Sequence, residues 1–432
     1  MTALSRTFFG WRVVGAAFVL AVFAWGISFY GPPIFLQVLH ASRGWSVSVV
    51  SGAITAHFLL GAAVVANLAA LHRRFGLVAV TRAGALLTAL GLLGWAFAAA
   101  PWQLYLAAPV SGAGWAMTSG AALNAMVSPW FARRRPAALG MAFNGASMGG
   151  VIFSPLWVAL IAGLGFQAAA GLVAAAAVSV AWLLSGLYLG RTPAGIGLLP
   201  DGDAAPMQPA TAAAAPRTAD AAPLANPWRD RRFLTLAAAA TLGLVAQIGL
   251  VAHLFSLLVP PLGAGGAGLT MGGATACAIG GRFLLGAAMP PGADRRVVAA
   301  ANAGMQAVGS VVLLCAGPSV PLLLLGCALF GLGLGNVTSL PPLIAQVEFR
   351  PADVARVVAL VTATSQAGYA FAPAAFGLLR DLGATGLSIS EGVLLFAAAA
   401  LVQLASAGVV LLGRSLSSPI RLRPLSTPSG CS

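Results

Sequence analysis

The sequence predicts an all-α polytopic membrane protein in which twelve transmembrane helices form two pseudo-symmetric halves of six. Three observations predict it. Only 7% of the 432 residues are charged while 59% are hydrophobic, whereas a soluble globular chain carries about 25% charge. The apolar residues gather into twelve runs, each near the roughly 20 residues a helix needs to cross a bilayer. Finally, Ser147, Gly150, Phe153, Pro155 and Gly165 recur as Ser365, Gly368, Phe371, Pro373 and Gly383, each displaced by 218 residues. A fixed offset of that size marks a duplicated unit of about half the chain.

The elements follow in order. Met1 to Gly10 is a short polar start, and Trp11 to Leu36 is too long an apolar run for a signal-peptide core, so it reads as span one. Spans two to six read as Val47 to Ala70, Leu77 to Ala99, Trp102 to Val127, Ala137 to Ile161 and Phe166 to Leu189. Gly190 to Arg232 is rich in Ala and Pro and carries Asp201, Asp203, Asp220 and Asp230. Such a stretch buries too little apolar surface to order itself, so it reads as a largely disordered cytoplasmic linker. Spans seven to twelve follow as Phe233 to Val259, Leu269 to Met289, Val297 to Ala316, Val320 to Ala345, Val357 to Leu379 and Gly392 to Gly413. The expected domains are a first half over 1–189, the linker over 190–232, a second half over 233–413 and a tail over 414–432.

The charge balance sets the orientation and excludes other classes. All 23 basic residues are Arg, and 20 of them fall in segments that an even number of crossings places with the N-terminus. Arg43 and Arg380 fall on the other side, and Arg282 falls within a span. Arginine-rich short loops are cytoplasmic, so both termini should be cytoplasmic in a multi-pass protein of the cell's inner (plasma) membrane. The net charge of +14 is spread among apolar helices and does not cluster with aromatic residues on one face, which argues against nucleic acid. Cys277, Cys315 and Cys327 lie in apolar runs and Cys431 in the tail, giving neither a disulfide framework nor zinc spacing. No metal and no cofactor is expected.

Within span eight, Leu269 to Met289, the one charge is Arg282. A guanidinium in hydrocarbon costs roughly 2.5 to 3.5 kcal/mol on insertion scales, so it normally faces a water-filled cavity or a partner. All nine acids lie in loops or at span ends, leaving no intramembrane carboxylate to neutralise it. An anionic substrate is then the natural counter-ion, because the guanidinium fork matches a carboxylate bidentately. The alternative is a structural arginine satisfied by backbone carbonyls. Other polar residues at middle depth are Tyr30, His57, Gln247, Gln366 and Tyr369. For each neutral one, an interhelical hydrogen bond competes with substrate contact. His57 and His253 are the side chains within spans that titrate near neutrality and so the candidates for proton coupling. Neither has an acid or cysteine partner at catalytic or ligand spacing, so an intramembrane enzyme is not supported.

Six plus six spans, the central loop and the repeated S-x-x-G-x-x-F-x-P resemble the major facilitator superfamily over nearly the whole chain. Phe29-Tyr30-Gly31 with Arg43-Gly44-Trp45-Ser46, Gly281-Arg282-Phe283-Leu284-Leu285-Gly286, and Pro200-Asp201-Gly202 after span six resemble the branch holding monocarboxylate transporters and oxalate:formate antiporters. The resemblance implies alternating access around a midplane site and a small-molecule substrate carried by a functional monomer. The superfamily's D-R-x-G between spans two and three stands here as Arg73-Arg74-Phe75-Gly76, with Arg in place of the acid. The acid that proton-coupled animal members place one turn before the arginine is Ala278 here, and no lysine stands in span eleven. Substrate and coupling are therefore not carried over from the branch.

Movement should involve the residues that let helices approach and bend: Arg73, Arg74 and Gly76 in the loop, Gly149, Gly150 and Pro155 in span five, and Gly368 and Pro373 in span eleven. The expected function is secondary or facilitative transport of a small organic anion, a monocarboxylate or similar. An exporter of drugs or other metabolites that uses Arg282 as structure is the alternative.

Overall fold

The computed structural model describes residues 8–202, 226–290, 292–386 and 392–414. The middle of the expected linker (203–225) and the tail beyond 414 lie outside the described residues. Among those residues, nine helical segments are long and apolar enough to cross a membrane. The chain nevertheless crosses twelve times, because three spans are joined to or broken from their neighbours.

Arg231–Ala288 is helical throughout except at Gly263 (φ 69°, ψ 166°). At 58 residues it would be about 87 Å long if straight, but Arg232 and Arg282 both meet the Asn336-containing segment of span ten and its end. The chain therefore folds back at Gly263, in a conformation that a side chain with a Cβ disfavours, and supplies spans seven and eight. Span four is broken between Pro101–Ala116 and Gly120–Val127. Span eleven is broken between Pro351–Tyr369 and Ala372–Gly386. Two further spans bend while staying long: span one joins Phe9–Ser28 to Gly31–Arg43, where Pro32 and Pro33 open the second piece, and span ten joins Val320–Leu334 to Asn336–Glu348. The break of span four at Met117 and that of span ten at Gly335 are 218 residues apart, so the repeat extends from sequence to backbone geometry.

Helix ends are set by local chemistry. Ser46 accepts the Val49 N–H at the start of span two (3.3 Å), and Asp294 accepts the Arg296 N–H at the start of span nine (2.9 Å), contacts typically worth about 1 kcal/mol. Asp201 of the expected linker does the same in trans. Its carboxylate accepts the backbone N–H groups of Ala132, Arg133 and Arg134 at 2.8 to 3.2 Å, just before the helix Arg135–Leu164 of span five.

Each half is tied together by backbone-close helix pairs. A Cβ at Gly112 of span four would lie 1.9 Å from the His57 carbonyl oxygen of span two, and one at Gly331 of span ten 2.4 Å from that of Ala274 in span eight. The halves meet through spans one with seven, two with eleven, and five with eight. We call the side carrying the described linker ends the linker face. The two-with-eleven contact lies on the opposite face: the Ser48 N–H donates to Asp381 Oδ2 (3.3 Å) and the Ala374 N–H to Thr55 Oγ1 (3.1 Å). Spans five and eight are backbone-close there too, since a Cβ at Gly268 would meet the Ser154 carbonyl oxygen at 3.2 Å and one at Gly272 that of Val151 at 3.2 Å. Toward the linker face the same two spans are linked by the long side chain of Arg282. The two halves are thus held together by close backbone contacts on the opposite face and by the Arg282 side chain toward the linker face.

Candidate functional site

Arg282 sits on span eight, seven residues past Thr275 toward the linker face. Its Nε donates to the Gly335 carbonyl oxygen at 3.2 Å, and its Nη1 donates across the boundary between halves to Ser147 Oγ at 3.1 Å and Asn144 Oδ1 at 3.4 Å. Gly335 is required at this place: a Cβ there would lie 2.4 Å from Arg282 Nε. The break in span ten exposes the carbonyl that the guanidinium uses. The next residue, Asn336, is 3% exposed and ties the backbone down by donating to Asn302 Oδ1 (3.0 Å) and to the Gly281 carbonyl oxygen (3.4 Å).

All three acceptors of Arg282 are neutral, and Nη2 makes no hydrogen bond to any described residue. Desolvation of the guanidinium is thus only partly offset, and a fork of N–H groups stays available for a carboxylate.

The structure divides the other sequence candidates into two groups. Tyr30, Gln247, Gln366 and Tyr369 make no side-chain hydrogen bond to any described residue. Tyr30 is 7% exposed and Gln247 5% exposed, with Gln247 Oε1 buried and unpartnered, while Gln366 and Tyr369 are half-buried. Tyr30 is brought to the Arg282 side: a Cβ at Gly150, one turn from Ser147, would meet both the Tyr30 ring (2.7 Å) and Thr275 Cγ2 (2.6 Å). The histidines are placed elsewhere. His57 bonds Ser111 Oγ at 2.8 Å and stacks on Trp115, inside the packing of spans two and four. His253 is fully buried on the opposite face and donates from Nε2 to the Pro373 carbonyl oxygen at 3.0 Å.

The residues expected to take part in movement also separate. Gly149 and Gly150 lie at close contacts, Gly149 against the Val22 carbonyl oxygen of span one (2.6 Å from a built Cβ), and Gly368 faces Thr241 Cγ2 (2.3 Å). Pro155 packs beside Gly268 and Gly272 of span eight. Arg73, Arg74 and Gly76 are exposed on the linker face, and the Arg74 guanidinium lies 5.2 Å from the Phe75 ring centroid.

Neither Asn144 nor Ser147 is among the residues that the sequence puts at the site. The signal was available in their spacing, three apart on one face of span five with Ser147 inside the repeat. The sequence also ends span eleven at Leu379 and leaves Arg380 outside, but the helix Ala372–Gly386 continues past it. Arg380 is 5% exposed and donates from Nη1 to Ser256 Oγ at 2.5 Å.

A twelve-span bundle of two repeated halves, in contact on one face and bridged by an arginine toward the other, has the architecture of a membrane transporter. The Major Facilitator Superfamily model matches residues 14–373, and the chain belongs to that family of transporters. Monocarboxylate transporter 13 of Bos taurus is 32% identical over 194 residues, 43% of this chain and 44% of that protein. Monocarboxylate transporter 3 of Rattus norvegicus is 34% identical over 150 residues, 34% of this chain and 30% of that one. The matched region thus spans under half the length of these relatives. Among solved structures, the nucleoside transporter NupG superposes with a TM-score of 0.71 at 12% identity, covering 94% of this chain and all of that one. A bacterial homologue of the human lysosomal transporter Spinster, inward-facing and occupied, gives 0.65 at 15% identity over 94% and 95% of the two chains. At such identities these likenesses concern the fold.

Proposed function

We propose that this transporter moves a small organic anion, a monocarboxylate or a close chemical relative, with Arg282 as its counter-ion. The observation that carries the reading is the bridging guanidinium of Arg282, which has three neutral acceptors and a free Nη2 at the boundary between the halves. The names of the partial relatives, which are monocarboxylate transporters, support the same substrate class. Tyr30, Gln247, Gln366 and Tyr369, polar and without protein partners, would complete the site. Gly149, Gly150, Pro155, Gly368 and Pro373, at the contacts between moving spans, would serve the conformational change together with Arg73, Arg74 and Gly76.

The linker face is cytoplasmic on the arginine distribution, in the plasma membrane, with both termini inside and the halves 1–189 and 233–413 working as one monomer. Both histidines hold one ring nitrogen in a helix-to-helix hydrogen bond and bury the other. Exchange, or entry of a proton on the substrate itself, therefore fits the geometry better than a proton carried by His57 or His253.

Proteoliposome counterflow with a panel of carboxylates, neutral drugs and organic cations, with and without a pH gradient, tests the reading. Stimulation by carboxylates alone is expected. Stimulation by neutral or cationic compounds, with carboxylates inert, would establish an exporter in which Arg282 is structural.

A further inference from the structure

Resting on the anionic reading of Arg282, we propose that the substrate carboxylate carries an aromatic ring and that the ring is received by an aromatic surface on the closed side of the same site. The surface begins at Tyr30, which packs against Gly150 and Thr275. From there, ring centroids step 4.9 Å to Phe29, 6.4 Å to Phe58 and 5.6 Å to Tyr369, all edge-to-face. This row crosses from spans one and two of the first half to span eleven of the second, and Trp115 of span four extends it 5.5 Å beyond Phe58.

Three features point to a ligand and not to packing alone. Phe29 and Tyr369 are only half-buried although they sit at mid-span. The hydroxyls of Tyr30 and Tyr369 meet no described partner, and Trp115 Nε1 is buried without one, where buried Tyr and Trp ordinarily find a partner. The row also leads away from the charge. Arg282 leans along its helix toward Thr275, which marks the Tyr30 end, and its Nη1 reaches Ser147, one turn from the Gly150 that Tyr30 packs against, while Phe58 and Tyr369 lie two and three ring steps farther on. A two- or three-carbon acid held at the guanidinium meets the Tyr30 end alone. An arene one or two methylenes from its carboxylate extends along the row and meets ring edges and faces in the geometry aromatic pairs prefer.

The test is binding to purified protein of propionate, cyclohexylacetate, phenylacetate, 3-phenylpropionate and the neutral phenylacetamide, on wild type, Arg282→Ala, Tyr369→Leu, Tyr369→Phe and Phe29→Leu. In wild type the two aryl acids should bind about tenfold more tightly than propionate and about fivefold more tightly than cyclohexylacetate. Tyr369→Leu should bring the ratio of phenylacetate to propionate affinity from about tenfold down to about twofold or less, while Tyr369→Phe keeps the ratio. Should Tyr369→Leu fail to melt cooperatively, Phe29→Leu gives the same readout from the other half. Equal affinities for phenylacetate and cyclohexylacetate, with binding of both lost in Arg282→Ala, would overturn the ring and leave the anion reading standing. Phenylacetamide binding as tightly as phenylacetate would overturn the anion reading beneath it.

Discussion

Arg282 is held by a carbonyl that only a glycine at 335 leaves reachable and by two side chains of the other half. Arg282→Ala leaves no acid stranded, because none pairs with it among the described residues, so the fold should survive while anion affinity falls. The expected loss is about 1.5 to 3 kcal/mol, the scale of a charge-assisted hydrogen bond, or roughly ten- to a hundredfold. Arg282→Lys should recover little, since an ammonium is a point charge and not a fork. Melting temperature and carboxylate affinity measured on the same purified variants check this, and normal affinity in a well-folded Arg282→Ala would refute it. The arginine was legible in the sequence because a charge in an apolar run has few alternatives. Its partners were less so: the position of Asn144 along its own helix gives no sign of an arginine side chain that reaches it from another span. His57 shows the converse. A lone polar residue in an apolar run gives no sign of which neighbour it faces, and Ser111, 54 residues away, takes one of its ring nitrogens.

Adjacent glycines in span eight differ sharply. A Cβ at Gly281 would lie 1.9 Å from the Leu332 carbonyl oxygen of span ten, while one at Gly280 meets nothing within 4 Å. Gly281→Ala should therefore lower stability by about 1 to 3 kcal/mol, the scale of overpacking, and disturb Arg282 beside it, while Gly280→Ala should be near neutral. A paired thermal melt distinguishes them. At the start of span five, burial acts to raise the Asp201 carboxyl, but the amides of Arg133, Arg134 and Ala132 and the Arg133 charge outweigh it and hold the group below its ordinary range. A depressed carboxylate stabilises the fold above its unfolded value, near pH 4, and that contribution is lost as pH falls through the lower folded value. The melting-temperature gap between wild type and Asp201→Asn should accordingly be largest near pH 7 and shrink toward pH 3; a gap independent of pH would assign the effect to something other than the carboxylate charge. Hydropathy located all twelve crossings, but not the breaks at Met117, Gly335 and Ala370, because a bent helix and a straight one bury the same apolar residues. The cap from Asp201 was equally hidden, since it joins segments about 70 residues apart.

Across the whole molecule, closure of the opposite face brings Ser51 Cβ within 3.1 Å of the position a Cβ would take at Gly377, near the separation a disulfide spans. In a background lacking the four native cysteines, Ser51→Cys with Gly377→Cys should cross-link under oxidation, stop transport and release it again on reduction. Linker-face residues of the oxidised protein should stay open to labelling, and unimpaired transport by a fully cross-linked protein would show that this face need not open. The repeat itself was readable from five positions, and the structure extends it to paired backbone breaks. What is not repeated is the charge: 218 residues before Arg282 stands Val64. The duplicated halves are therefore alike as mechanical parts and unlike as electrical ones. If the substrate is an anion held by Arg282, its berth is mounted on the C-terminal wall, and a change of access would require the N-terminal wall to let go, beginning with Asn144 and Ser147.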